Sequence, residues 1–203
     1  MRGMHTLAVA IGFVLLGVVA TSGDNQSTSA DRHKQTARAS ESTGKITGRA
    51  HADISGEGVS GSAEFVERTF ETGGTELEVT VTAKGLKPGL HGVHLHAVGK
   101  CEPPAFTAAG GHFDPGPSGN TDPDANHPFH MGDIPNLKVA ADGTGTLHTQ
   151  TTRATLSDGP LTLFDADGSA IIIHANQDQG ITGEPKSGVS GGPRAACGVI
   201  QKQ

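Results

Sequence analysis

The 203-residue sequence has no tryptophan and no tyrosine, and aromatic residues make up only 3% of it. Apolar residues amount to 34%, whereas glycine (30 residues) and proline (11 residues) are plentiful. A thick helical bundle is therefore disfavoured, because it needs long apolar stretches with few helix breakers. Short strands joined by many turns fit this composition better.

Clusters of lysine and arginine are also absent, and the formal net charge is −6. Binding to nucleic acid requires clustered cations that neutralise phosphates, so no nucleic-acid partner is expected. An anionic substrate would need a local positive patch to overcome the mildly negative overall field.

No apolar run is long enough to cross a bilayer. The run Leu7–Val19 has about 13 residues, whereas a transmembrane helix needs about 20. With Arg2 before this run and Ala20 after it, residues 1–20 have the pattern of a secretory signal peptide. We predict export to the periplasm, the cell envelope or the extracellular space, with no stable membrane span after cleavage. A retained membrane anchor is the alternative.

Residues 21–43 contain almost no large apolar side chains, so they are predicted to be a disordered polar linker. The folded domain is predicted to span residues 44–203, a length that suits a single core. This domain contains the two cysteines of the chain, Cys101 and Cys197. In an exported protein a disulfide is expected, and two free buried thiols are the alternative.

A β fold is indicated by alternating polarity. Across residues 75–83 every second residue is apolar, from Leu77 to Ala83, as expected of a half-buried strand. Recurring turn signals imply about eight such strands, in an antiparallel sandwich or barrel. Residues 98–133 break this rhythm, and a loop of that length inside a compact domain is usually functional.

Candidate metal ligands begin with His94 and His96. In a strand these two imidazoles project to one side while Leu95 points to the core, so both can bind one ion. Two polar residues on a solvent-exposed face are the alternative.

A second candidate group lies in the long loop. Its members are three imidazoles and a carboxylate within 22 residues, His112, His127, His130 and Asp133. This is a nitrogen and oxygen ligand set that zinc accepts, whereas the alternative is a flexible histidine-rich surface loop.

Two further segments follow. An apolar run ends at His174, with Asp178 four residues later; a purely structural histidine is the alternative at such a strand end. Arg194 lies three residues before Cys197, and its planar guanidinium suits a small anion. A structural arginine that bonds loop carbonyls is the alternative there.

Taken together, these segments resemble the Cu,Zn superoxide dismutases, in their order along the chain as well as in sequence. The resemblance implies an all-β fold: an eight-stranded antiparallel Greek-key barrel or sandwich, immunoglobulin-like, with long metal-binding and electrostatic loops. It implies superoxide anion as the substrate, copper and zinc as cofactors, and dismutation to oxygen and hydrogen peroxide. The matching stretches are Gly89–Gly99, Gly110–Pro115, His130–Asn136, Ile171–His174 and Arg194–Ile200.

The resemblance also implies individual roles. The expected copper ligands are four histidines, His94, His96, His112 and His174. Arg194 is expected to attract and orient the anion in catalysis, and Asp178 to tie the copper and zinc histidines together by hydrogen bonds. Cys101 and Cys197 lie where the family forms its disulfide.

On the zinc side, His112 is expected to bridge the two metals as a catalytic imidazolate, with His130 and Asp133 as further zinc ligands. One departure concerns the second zinc histidine, which the family carries about eight or nine residues after the bridging one. Residues 118–121 contain no histidine, and His127 is the candidate replacement.

Two rival functions remain at this point. One is a copper-only dismutase, in which the altered loop forms no zinc site. The other is a non-enzymatic copper-binding or copper-delivery domain on the same fold. The subunit count is also open, and a homodimer is compatible with the sequence.

Overall fold

The computed structural model describes residues 44–115, 130–181, 183–184 and 187–203. The predicted signal peptide, the predicted linker and His127 lie outside these residues, so the expectations placed on them stay predictions. Within the described residues, no helix is long and apolar enough to cross a membrane.

The described chain is built from antiparallel strands, with one 3-10 turn at Thr107–Ala109. The strands are β1 (Lys45–Gly56), β2 (Val59–Thr69), β3 (Thr75–Lys84), β4 (Gly89–His96), β5 (Asp133–Val139), β6 (Thr144–Thr151), β7 (Ala170–His174), β8 (Arg194–Val199) and the two-residue β9 (Gln201–Lys202).

Eight of these strands close into a barrel. Their spatial order is β2-β3-β6-β5-β4-β7-β8-β1, and β1 pairs again with β2, while β9 extends the sheet beside β1. Because β3 neighbours β6 and β4 neighbours β7, the chain crosses over twice, which is the Greek-key arrangement. The predicted eight-stranded antiparallel Greek-key barrel is confirmed.

Alternating residues fill the barrel, as the pattern in β3 predicts. Leu77, Val79 and Val81 are completely buried, and Ala83 is almost so. β7 differs, because it is buried along its whole length. Its odd-numbered isoleucines join the main core, whereas Ile172 packs in a smaller cluster that includes Phe106 and Cys197. Burial on both faces explains why this strand is a continuous apolar run.

The disulfide expected from the sequence is present between Cys101 and Cys197, whose Cα atoms are 5.6 Å apart. Since Cys101 follows β4 and Cys197 lies in β8, the bond ties the long loop to the barrel. The loop is thereby held against the outer face of β7, on the side that also carries the candidate ligands.

A buried carboxylate holds another long connection. Glu67 of β2 is fully buried and accepts hydrogen bonds from the backbone N–H of Leu156 (2.6 Å) and Ser157 (3.0 Å). The hydroxyls of Ser157 (3.1 Å) and Thr47 (2.9 Å) donate to it as well. Burial alone would raise the pKa of Glu67, but these hydrogen bonds outweigh burial and lower it.

We expect Glu67→Gln to lower the free energy of unfolding at pH 7 by roughly 1–3 kcal/mol, because a buried charged acceptor is lost. The folded-state pKa lies below that of the unfolded chain, which is about 4.3. Stabilisation by the carboxylate is therefore complete above that value and is lost as the pH falls through the lowered folded value. Urea unfolding of the metal-free proteins between about pH 7 and pH 3 measures this.

The matched control is Glu64→Gln, which changes an exposed glutamate on the same strand and should leave stability nearly unchanged. If the gap between wild type and Glu67→Gln were the same at both ends of the pH range, the ionised carboxylate would not be the stabilising form.

Candidate metal centre

Strand β4 places two imidazoles on one side. Val93 and Leu95 are completely buried in the barrel core, so His94 and His96 project from the opposite face, where they are also completely buried. Their ring centroids are 6.3 Å apart. They are covered from outside by the loops, and they do not form the solvent-exposed face that was the alternative.

Two other segments bring further imidazoles to this pair. His174, at the end of β7, lies 4.7 Å from His94 between ring centroids, because β7 pairs with β4. His112, in the long loop, lies 4.0 Å from His94 and forms a β-bridge with His96. One ring nitrogen from each of the four histidines lies within 4.8 Å of the others.

Hydrogen bonds fix which nitrogen of three of these rings faces the centre. Asp178 accepts from His94 Nε2 at 2.7 Å, and the Gly110 carbonyl accepts from His96 Nδ1 at 3.0 Å. The Gly192 carbonyl accepts from His174 Nδ1 at 2.9 Å. Because carbonyl oxygens and an ionised carboxylate only accept, each of these ring nitrogens carries the proton and the opposite nitrogen keeps a lone pair.

The opposite nitrogens are His94 Nδ1, His96 Nε2 and His174 Nε2. All three are buried and have no hydrogen-bond partner among the described residues. Buried polar atoms are normally hydrogen-bonded, and an unsatisfied one costs free energy. Three convergent lone pairs without protein partners fit a bound metal ion.

Three of these rings, those of His96, His112 and His174, favour the neutral form that metal ligands must have. Burial lowers the pKa of His96 and His174 well below the usual value, and the neighbouring imidazoles add to this effect. Burial likewise lowers the pKa of His112 to about 4, although its hydrogen bond to Asp133 acts in the opposite direction.

A second group shares His112 with the first. Its ligand atoms come from His112, His130 and Asp133 and lie within 4.8 Å of one another. Asp133 Oδ1 accepts from His112 Nδ1 at 2.7 Å, and Oδ2 accepts from the backbone N–H of His130 at 2.9 Å. Burial would raise the pKa of Asp133, but the hydrogen bonds from His112 and His130 lower it overall. An ionised carboxylate with two imidazoles suits zinc.

Asp178 is held by a residue for which sequence reasoning gave no role. The side chain of Asn136 donates to the Asp178 carbonyl and accepts from the Asp178 backbone N–H, both at 2.9 Å. The second carboxylate oxygen of Asp178 accepts from Gly180 N–H at 2.7 Å. The available signal was weak: an asparagine inside a strand, where asparagine is uncommon.

The guanidinium of Arg194 bonds two loop carbonyls, those of Phe106 at 2.6 Å and Gly110 at 2.5 Å. The structural alternative considered for this arginine is therefore part of its role. Its charge also reaches the centre, since it contributes to the lowered pKa of both His96 and His174. A fixed cation beside the ligand cluster can attract a small anion.

A further histidine of β4, His91, lies outside the ligand group. Its ring nitrogens contact the carbonyl oxygens of His174 and Lys87, both at 2.8 Å, so this ring links backbone segments.

The sequence profile of the family described as copper/zinc superoxide dismutase matches residues 59–200. The chain belongs to this family. Superoxide dismutation is accordingly the activity of the chain, with copper and zinc as its metals, and the enzyme is an oxidoreductase acting on superoxide.

Individual relatives agree. A Cu-Zn superoxide dismutase of Deinococcus radiodurans is 37% identical over 191 residues, covering 88% of this chain and 91% of the relative. One from Caulobacter vibrioides is 42% identical over 123 residues, covering 58% of this chain and 67% of the relative. The crystal structure of a superoxide dismutase-like protein from Bacillus subtilis matches with a TM-score of 0.59 and 29% identity, covering 76% and 98% of the two chains.

Proposed function

We propose that in this dismutase copper is bound by His94, His96, His112 and His174, and zinc by His112, His130 and Asp133. The observation that carries the proposal is the convergence of three buried imidazole nitrogens. Each has a lone pair that no hydrogen-bond donor among the described residues contacts. Neutral imidazole is a ligand that both ions accept.

Copper bound there would supply one-electron redox chemistry, by which one superoxide is oxidised to oxygen and a second is reduced to the level of peroxide. The second superoxide needs two protons to leave as hydrogen peroxide. His112 is suited to deliver one of them from Nε2, because Nδ1 faces Asp133 on the zinc side. Water supplies the other proton, so electrons and atoms balance.

Arg194 is proposed to bring the anion in. The formal net charge of −6 repels superoxide at long range, so attraction must come from charge near the ligands. A guanidinium fixed by two carbonyl hydrogen bonds provides this without the entropy loss of ordering a mobile side chain.

Zinc is proposed to orient the shared imidazole. Three of its ligands are described, and His127 is proposed as the fourth, since zinc sites of this kind are four-coordinate. This replaces the histidine that the family carries nearer to the bridging one.

We further propose that the protein works outside the cytoplasm, in the periplasm, the cell envelope or the extracellular space. The disulfide supports this, because such bonds persist in oxidising compartments, and so does the apolar run before residue 20. A homodimer remains a prediction.

The test is metal quantification combined with a superoxide assay on the purified protein. Metal-free protein is reloaded with copper alone, zinc alone, or both. We expect no activity without copper, and full activity with one copper and one zinc per chain. Full activity with copper alone would favour the copper-only rival. Copper binding without activity would favour the non-enzymatic one.

A further inference from the structure

Arg153 lies just beyond the end of β6, beside the turn that joins His130 to Asp133. Its Nη1 donates to the His130 carbonyl at 3.3 Å, and its Nη2 donates to the Asp133 carbonyl. One partly buried guanidinium thus bonds the first and last carbonyls of a four-residue turn that carries two of the proposed zinc ligands.

The same turn is tied to β4 on its other side. Gly132 donates to the Phe113 carbonyl at 2.7 Å and accepts from Leu95 N–H at 2.9 Å. Within the turn, Asp133 N–H donates to the His130 carbonyl at 3.1 Å. Main-chain bonds therefore hold the turn toward the copper histidines, and the guanidinium of Arg153 holds it toward β6.

Backbone hydrogen bonds between β5 and β6 do not hold the turn in the way that Arg153 does. The ladder between β5 and β6 consists of the single pair Val139 and Gly145, at the hairpin end. In an antiparallel hairpin, the start of β5 faces the end of β6, and there the ladder has no pair in the described residues. Arg153 bridges this gap.

Arginine is suited to this task and lysine is not. The planar fork of a guanidinium can donate to two carbonyls at a fixed spacing, whereas an ammonium is a single point charge on a flexible stem. The backbone of Arg153 is itself anchored, because its N–H donates to Thr151 Oγ1 at 3.1 Å and the next residue, Ala154, is buried.

We propose that Arg153 is a positioning residue for the zinc site: by fixing both ends of the turn it sets the directions of the His130 ring and the Asp133 carboxylate. This rests on the proposed function, which assigns those two residues to zinc. Removing a group that hydrogen-bonds to metal ligands commonly changes metal affinity 10–100-fold. Two of the three described zinc ligands, His130 and Asp133, lie at the ends of this turn. The sequence also has no histidine at the family's usual position for the second zinc histidine.

The experiment compares wild type with Arg153→Gln and Arg153→Lys. Zinc affinity is measured by competition with a chelator of known affinity, and copper affinity is measured separately in the same way. Cobalt(II) replaces zinc as a spectroscopic probe of ligand geometry. We expect zinc to bind about 10–100-fold more weakly in both variants, with an altered cobalt visible spectrum and copper affinity close to wild type.

Arg68→Gln is the matched control. Arg68 is also a partly buried arginine that donates to a main-chain carbonyl, that of Gly44, but it lies on β2. It should leave zinc affinity and the cobalt spectrum unchanged. Thermal unfolding of the metal-free proteins shows whether each variant folds.

Two outcomes overturn the inference. One is wild-type zinc affinity and an unchanged cobalt spectrum in both Arg153 variants. The other is an equal loss of zinc and copper affinity together with lower metal-free stability, which would make Arg153 a general structural residue. If wild type itself bound no zinc, the proposed zinc ligands would fail instead, so the two failures are distinguishable.

Discussion

His174→Ala removes superoxide dismutation, with a loss of at least about 100-fold, because a direct ligand should matter more than the 10–100-fold typical of groups behind the ligands. The His174 ring is almost fully buried, and its Nε2 is one of the three convergent nitrogens without a protein partner. The superoxide assay and the copper content of the purified variant measure the effect together.

His148→Ala serves as the control, since the side chain of His148 is 58% exposed and lies on β6 away from the ligand groups. It should retain wild-type activity and copper. If His174→Ala kept a substantial part of the wild-type rate at full copper loading, the assignment of this ligand would be wrong.

Arg194→Ala should lower kcat/KM at least about tenfold while copper stays bound, because local charge raises the encounter rate of an anion by roughly 10–1,000-fold. The salt dependence should change with it. Wild-type activity should fall as ionic strength rises, and that slope should flatten in the variant, since salt screens the attraction that has been removed.

Arg49→Ala is the control for net charge, because Arg49 is an exposed arginine on β1 and its loss changes the formal charge equally. It should leave kcat/KM nearly unchanged. Copper content must be measured in both variants, and loss of copper from Arg194→Ala would show that the arginine acts on the ligands and not on the anion.

Local patterns in the sequence predicted the barrel well. The alternation in β3 was confirmed residue by residue, because side-chain direction in a strand depends only on position along it. The same rule placed His94 and His96 on one side and Leu95 in the core. The predicted bond between Cys101 and Cys197 is also present.

Contacts between distant segments could not be predicted in this way. Asn136 and Asp178 are 42 residues apart, and Arg153 reaches a turn 20 residues before it. Neither contact leaves a periodic signal, because each depends on where the barrel places the ends of its strands. His127 lies outside the described residues, so the fourth zinc ligand stays a prediction.

One oxygen atom in this enzyme accepts two hydrogen bonds with different roles. The carbonyl of Gly110 accepts from His96 Nδ1, a proposed copper ligand, and from the guanidinium of Arg194, which is proposed to attract the substrate. Gly110 has a φ of +72°, and a Cβ at this position would lie 3.1 Å from a methyl group of Val98. Substitution of this glycine by any residue with a side chain is therefore disfavoured. A substitution at residue 110 would therefore weaken substrate attraction and copper binding together. Natural variation at this position cannot readily change one property without the other.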